Sequence, residues 1–130
     1  MGMPVAKQND TVVATDIHII LVPALVPIPT PFPHPFNGVL DSALSPNVNV
    51  MGLPAAIVGS IAHNTPPHLP MGPGPFAIPP TNMGTIMTGS ATVMVNGQPI
   101  ARSGDTALTC NDPVDLPVGS VVAAGTVFAS

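Results

Sequence analysis

Four residues of this 130-residue chain carry side chains that could bind one metal ion together: His18, His63, His68 and Cys110. A short turn containing two prolines separates His63 from His68, and it allows both imidazoles to reach the same ion. Three imidazoles and one thiolate make up a complete tetrahedral ligand set of the kind that binds structural zinc. We therefore expect one structural zinc ion on these four residues, with iron as the alternative metal.

Each of these residues also has a simpler interpretation. A single cysteine is often a small buried hydrophobic residue, and a lone histidine is often a hydrogen-bonded polar residue of a core. A zinc hydrolase would keep one metal position open for water and use a carboxylate base, yet four ligands fill the predicted site and the chain has no glutamate. A protease pair of Cys110 with a histidine would need an orienting third group, which the sequence does not reveal. We therefore favour a structural site over an enzyme.

Two acidic residues close to the predicted ligands, Asp16 and Asp105, are candidates for a catalytic base. Asp105 follows Gly104, and an aspartate at such a turn commonly accepts hydrogen bonds from backbone N–H groups. We favour this structural role for Asp105.

The composition predicts that strands and turns position these residues. Nineteen prolines and twelve glycines interrupt every stretch in which a long helix could form. The alternating runs 48–50 and 91–95 are typical of short strands, and a glycine follows each of them. The segment 21–36 combines closely spaced prolines with apolar residues, which predicts an extended and packed segment. We therefore predict an all-β fold in a single domain over residues 1–130.

An internal repeat with an offset of 45 residues relates residues of about 45–63 to residues of about 90–110. Without a gap, 45–60 and 90–105 agree at seven positions: Ser45/Ser90, Val48/Val93, Val50/Val95, Gly52/Gly97, Pro54/Pro99, Ala56/Ala101 and Gly59/Gly104. Each copy predicts a β-hairpin with a tight turn at its first glycine, where φ is positive. His63 and Cys110 follow the second turn of their copies, and this placement supports a shared metal site.

The chain carries few charges, with two basic and six acidic residues and a net charge of −4. Nucleic acid and anionic lipid surfaces require several basic residues on one face, so neither is an expected partner. One cysteine excludes an internal disulfide. We expect no signal peptide, because residues 1–10 do not combine a basic start with an unbroken apolar stretch. We expect no membrane-spanning helix, because prolines interrupt the most apolar window, 17–32. The low charge predicts that a partner covers part of the surface.

The stretch 84–110 resembles the PAAR-repeat family. The family phrase I-x-x-G-S-x-x-V-x-V-N-G-x-P-x-A-R-x-G-D, followed by a cysteine, matches Ile86–Asp105 and then Cys110. The resemblance implies a cone of short β-hairpins whose apex is held by one zinc ion. Its ligands would come from an early histidine, a central pair and a late cysteine. On this chain these are His18, then His63 with His68, then Cys110, whereas His34 has no counterpart.

The resemblance also implies a function. PAAR-like proteins sharpen and cap the trimeric central spike of contractile injection machines, in type VI secretion systems or phage-tail-like extracellular particles, and so aid membrane puncture and effector attachment. The implied partners are a VgrG-like or gp5-like spike at its C-terminal β-helix end, effector cargo and, transiently, the target membrane. We expect a non-enzymatic tip, made in the bacterial cytoplasm and acting outside the cell or in a target cell. A small zinc-dependent hydrolase is the alternative.

Overall fold

The computed structural model describes residues 2–130, and these residues form twelve β-strands and no helix. The predicted all-β fold is therefore confirmed. Within the same residues, no helix is long and apolar enough to cross a membrane. The strands are β1 (Met3–Pro4), β2 (Thr11–Val22), β3 (Ile28–Ser42), β4 (Asn49–Val50), β5 (Leu53–Pro54), β6 (Ile61–Asn64), β7 (Met83–Ile86), β8 (Met94–Val95), β9 (Gln98–Pro99), β10 (Thr106–Thr109), β11 (Leu116–Val122) and β12 (Phe128–Ala129).

Six of the strands form a closed antiparallel barrel in the order β10-β11-β2-β3-β6-β7. The longest pair is β2 with β3, whose register runs from Thr11 opposite Val39 to Val22 opposite Ile28. The interior is narrow, because a Cβ atom on Gly38 would lie only 2.6 Å from the Phe36 ring. Glycine at this position therefore lets the large Phe36 side chain fill the core.

The proline-rich segment is extended, as predicted, from residue 28 onward. Residues 23–27 form the exposed turn between β2 and β3, and the prolines of β3 alternate with inward-facing residues. Pro31 and Pro33 lie opposite Ile19 and Ile17, whose backbone N–H groups point away from β3. These are non-hydrogen-bonded pairs, so the missing proline N–H groups cost no hydrogen bond of the β2–β3 ladder.

The two repeated hairpins are β4–β5 and β8–β9, and their turns have the predicted geometry. Gly52 and Gly97 adopt φ values of 84° and 83°, and the residues before them also have positive φ, which suits a two-residue hairpin turn. A third strand pair, β12 with β1, is equivalent to these two hairpins, with Pro4 opposite Phe128 as Pro54 is opposite Asn49. Its two strands come from opposite ends of the chain, so a linear repeat search does not align them as one copy.

Candidate metal centre and basal face

Strand β2 places two candidate ligands side by side. Asp16 and His18 are two residues apart, so strand alternation directs both side chains to the same face of β2. Both side chains are buried inside the protein, with relative exposures of 0% and 1%. Asp16 lies opposite His34 of β3, and His18 lies opposite Phe32.

Two further donors reach this point from other parts of the chain. His68 belongs to the long connection between β6 and β7, and its backbone N–H donates to Asn82 Oδ1 at 2.7 Å. Cys110 follows the last residue of β10 directly. One ligand atom from each of Asp16, His18, His68 and Cys110 lies within 4.8 Å of the others. The fold therefore collects an aspartate, two histidines and a cysteine in one buried group.

The distances within this group suit a tetrahedral metal ion. Cys110 Sγ lies 3.5 Å from Asp16 Oδ2 and 3.7 Å from His18 Nε2, and His68 Nε2 lies 2.9 Å from Asp16 Oδ2. Ligand atoms on tetrahedral zinc are about 3.4 to 3.6 Å apart, given the usual zinc–nitrogen, zinc–oxygen and zinc–sulfur distances. Of these three distances, the one between Asp16 and His68, which are hydrogen-bonded, is shorter than that range. The donor set and its geometry therefore fit zinc.

The protein environment favours the neutral Cys110 thiol and the neutral His18 imidazole. Burial, followed by the Asp16 carboxylate, raises the pKa of the Cys110 thiol to about 11. Burial also lowers the pKa of His18, although the Asp112 carboxylate opposes that shift. Neutral imidazole is the form that binds metals, whereas a cation must displace the proton of the thiol. The Asp16 carboxylate itself accepts a 2.5 Å hydrogen bond from Thr109 Oγ1.

The structure does not place His63, one of the four predicted ligands, in this group. His63 lies in β6 between Ala62 and Asn64, both buried, so its own side chain points outward. Its Nδ1 atom is 2.6 Å from Asp41 Oδ1, and both side chains are 44% exposed. The structure brings His18, His68 and Cys110 together, and Asp16 is the fourth residue of the group.

The repeat alignment itself distinguishes His63 from Cys110. The 45-residue offset aligns His63 with Leu108, and it aligns Thr65 with Cys110. His63 and Cys110 are therefore not equivalent, although both follow the second turn of their repeats. Asp16 could have been found from its position two residues before His18, because residues at that spacing share one face of a strand.

His34 is buried next to the group but uses both ring nitrogens elsewhere. Its ring centroid lies 5.3 Å from that of His18 and 5.6 Å from that of His68. Nδ1 lies 2.9 Å from the Phe32 carbonyl oxygen, and Nε2 accepts the Met71 N–H at 3.0 Å. A neutral His34 that donates through Nδ1 therefore forms a wall of the site.

A closed ring of backbone hydrogen bonds marks the opposite end of the barrel. Ala6 N–H donates to Ala101 O at 2.9 Å, Ala101 N–H donates to Ala56 O at 2.9 Å, and Ala56 N–H donates to Ala6 O at 3.0 Å. All three alanines are fully buried. A parallel set of bonds joins Gln8 to Pro54, Val58 to Pro99 and Ser103 to Pro4. Three equivalent units of one chain are therefore arranged cyclically.

The same three-fold equivalence appears in the turns beside this ring. The side chains of Asp10, Ser60 and Asp105 accept backbone N–H groups three residues earlier, at 3.0, 3.0 and 2.7 Å. The turn role predicted for Asp105 is confirmed, and its carboxylate also pairs with Arg102 at 3.0 Å. These bonds fix each turn where a hairpin continues into the barrel.

We call the three two-stranded units β1–β12, β4–β5 and β8–β9 the basal face. Their inner side chains form one buried cluster, which consists of Val5, Val50, Ala55, Val95, Ile100 and Ala129. Their strands carry no charged residue. Large apolar side chains are exposed on or beside these strands, namely Met3, Val48, Met51, Val93, Met94, Val127 and Phe128. This face is therefore apolar and open to a partner.

Comparison with known proteins agrees with the sequence resemblance. A family model described as the PAAR motif matches residues 33–114 and 77–128, which together cover most of the chain. No curated protein and no solved structure gives a significant match to the chain.

Proposed function

The chain belongs to the PAAR-motif family, and we propose that it is the structural tip that caps the trimeric central spike of a contractile injection machine. The observation that carries this proposal is the three-fold basal face. A trimeric spike ends in three equivalent strands, and a single folded chain normally has no matching symmetry. The three cyclically equivalent strand pairs of the basal face would give this single chain a pseudo-three-fold surface that matches the trimer.

The chemistry of the basal face supports docking on a spike. Met94 and Phe128 occupy equivalent positions on β8 and β12, and both are more than half exposed. Apolar contacts at these positions would bury surface that is otherwise hydrated, and hairpin edges can pair with the terminal strands of a β-helix. The proposed partner is therefore a VgrG-like or gp5-like spike at its C-terminal β-helix end.

We propose Asp16, His18, His68 and Cys110 as the ligands of one structural zinc ion. These residues join β2, the connection between β6 and β7, and the end of β10. When bound there, zinc would supply cross-links worth about 10 kcal/mol, where side-chain packing alone is limited. The Asp16 carboxylate is buried, so a cation would also balance a charge that water cannot reach.

The hairpin tip formed by residues 23–28 supports a role in membrane puncture. It carries no charged residue, and Leu25 and Val26 are largely exposed. Such a tip can enter the apolar part of a bilayer at little electrostatic cost. Attachment of effector cargo stays a prediction.

The alternative function, a small zinc-dependent hydrolase, gains no support from the geometry. Catalytic zinc needs an open coordination position and a free base. Here four protein donors surround one point, and Asp16, the nearest carboxylate, is one of them. We therefore propose a non-enzymatic role.

Binding to the spike tests the proposed function. The full chain is mixed with the trimeric spike protein of its own injection system and analysed by native mass spectrometry. One copy of the chain per spike trimer is expected. Met94→Asp and Phe128→Asp should abolish the complex, because each places a charge in the apolar contact, whereas Val26→Asp at the hairpin tip is the matched control. Absence of a wild-type complex, or three copies per trimer, would contradict the proposal.

A further inference from the structure

We infer that Asp112 is a positioning residue of the proposed metal centre, where it holds the His18 ring so that Nε2 faces Cys110. This inference rests on the proposed metal binding. Asp112 is two residues after Cys110, in the loop that leads to β11. Its side chain is 7% exposed, and its Oδ2 atom lies 3.4 Å from His18 Nδ1.

Asp112 is itself held firmly against the free edge of β2. Its Oδ2 atom accepts the Ile19 N–H at 2.9 Å, and its own backbone N–H donates to the Ile17 carbonyl oxygen at 2.8 Å. The neighbouring Asn111 accepts the Ile17 N–H through Oδ1 at 2.6 Å. Since β11 no longer pairs with β2 beyond Val13, these contacts replace the missing strand. The loop after Cys110 is therefore hydrogen-bonded to the backbone of both neighbours of His18, Ile17 and Ile19.

His18 Nδ1 is the atom in this region that needs an acceptor. The imidazole is 1% exposed, and its buried Nδ1 atom has no hydrogen-bond partner among residues 2–130. The other faces of the ring contact the rings of His34, His68 and Phe76. Asp112 Oδ2 lies 3.4 Å from this nitrogen, so the carboxylate is within reach of such a bond.

That bond would decide which nitrogen of His18 serves as the ligand. An imidazole that donates Nδ1–H to a carboxylate is fixed in the tautomer whose Nε2 lone pair is free, and its basicity increases. Nε2 is the nitrogen that lies 3.7 Å from Cys110 Sγ. Asp112 therefore orients and strengthens one donor without occupying a ligand position itself.

The test compares Asp112→Asn with Asp115→Asn, an exposed carboxylate in the same loop. Zinc affinity of the full chain is measured by competition with a chromophoric chelator, and the visible absorption of the cobalt-substituted protein reports ligand geometry. Asp112→Asn keeps an oxygen that can accept the Ile19 N–H but removes the carboxylate. We expect it to weaken zinc binding about 10- to 100-fold and to shift the cobalt spectrum. Asp115→Asn should behave as wild type.

Thermal melting in the presence of a chelator separates positioning from folding. Equal metal-free melting temperatures for the two variants, together with weaker zinc binding by Asp112→Asn, support the inference. A wild-type affinity in Asp112→Asn, or a metal-free Asp112→Asn chain that is unfolded while Asp115→Asn is folded, overturns it. A wild-type chain that binds no zinc would instead remove the proposed metal centre, and this inference with it.

Discussion

Strand alternation decides which side chains can meet in the candidate metal centre. Asp16 and His18 share the buried face of β2, whereas His63 occupies the outward face of β6. A shift of one residue along a strand therefore decides whether a side chain can reach the group, whatever its residue type, because neighbouring residues of a strand point in opposite directions. The thiol of Cys110 and the imidazole of His68 are free of this restriction, since both residues lie outside strands.

Elemental analysis of purified variants checks the proposed ligands. His63→Ala should retain about one equivalent of metal, because His63 is paired with Asp41 outside the centre. Asp16→Ala and Cys110→Ser should lose most of it, because three remaining ligands bind structural zinc poorly. The same measurement identifies zinc or iron. Loss of metal in His63→Ala with retention in Asp16→Ala would show that the ligand set predicted from sequence is the correct one.

At the scale of elements, the β2–β3 hairpin is a long apolar hairpin whose edges offer few hydrogen-bond donors. Four prolines of β3 and the contacts of Asn111 and Asp112 with β2 leave few free N–H groups along its edges. Exposed strand edges normally recruit other strands, and proline prevents this by removing the donor. The hairpin can therefore project apolar residues without a strong tendency to aggregate.

Vesicle binding checks the role of the hairpin tip. In the double variant Leu25→Asp/Val26→Asp, co-sedimentation of the full chain with phosphatidylcholine vesicles should fall roughly tenfold or more, because each buried charge is costly in the bilayer. Val118→Asp, at an exposed apolar residue of β11, is the control and should bind as wild type does. Equal loss in both variants would assign vesicle binding to general surface hydrophobicity, and no loss would argue against insertion of the tip.

At the scale of the whole molecule, the basal face of this one chain has pseudo-three-fold symmetry. Its third unit requires the first and last strands, because β1 pairs with β12. The ring through Ala6, Ala56 and Ala101 joins the three units with backbone hydrogen bonds, which do not depend on side-chain identity. Small side chains at these positions let three backbones approach closely.

Substitution of the three ring alanines checks their equivalence. Ala6→Leu, Ala56→Leu and Ala101→Leu should each lower the free energy of unfolding by about 1 to 3 kcal/mol, because each overpacks a fully buried position. Urea unfolding of the three variants measures this, with Ala91→Leu at an exposed position as the control. Tolerance of leucine at one ring position alone would show that the three units are not energetically equivalent.

Much of the fold follows from local patterns. Closely spaced prolines and glycines exclude helices, and the dipeptide Asn96-Gly97 specifies a hairpin turn because both residues adopt positive φ. The repeat identifies two of the three basal hairpins. The third was not aligned as one copy, because its strands lie at opposite ends of the chain and no single segment of sequence contains both.

The sequence by itself determined an all-β chain with two repeated hairpins, and three of its candidate ligands, His18, His68 and Cys110, lie in one group in the structure. The strands and turns depend on residue type and short-range spacing, because these set the local backbone conformation. Only the tertiary structure placed Asp16 rather than His63 beside these residues, and Asp112 beside His18, because barrel closure decides which face of each strand points inward. The three-fold basal face depends on the same closure, which brings the first and last strands together.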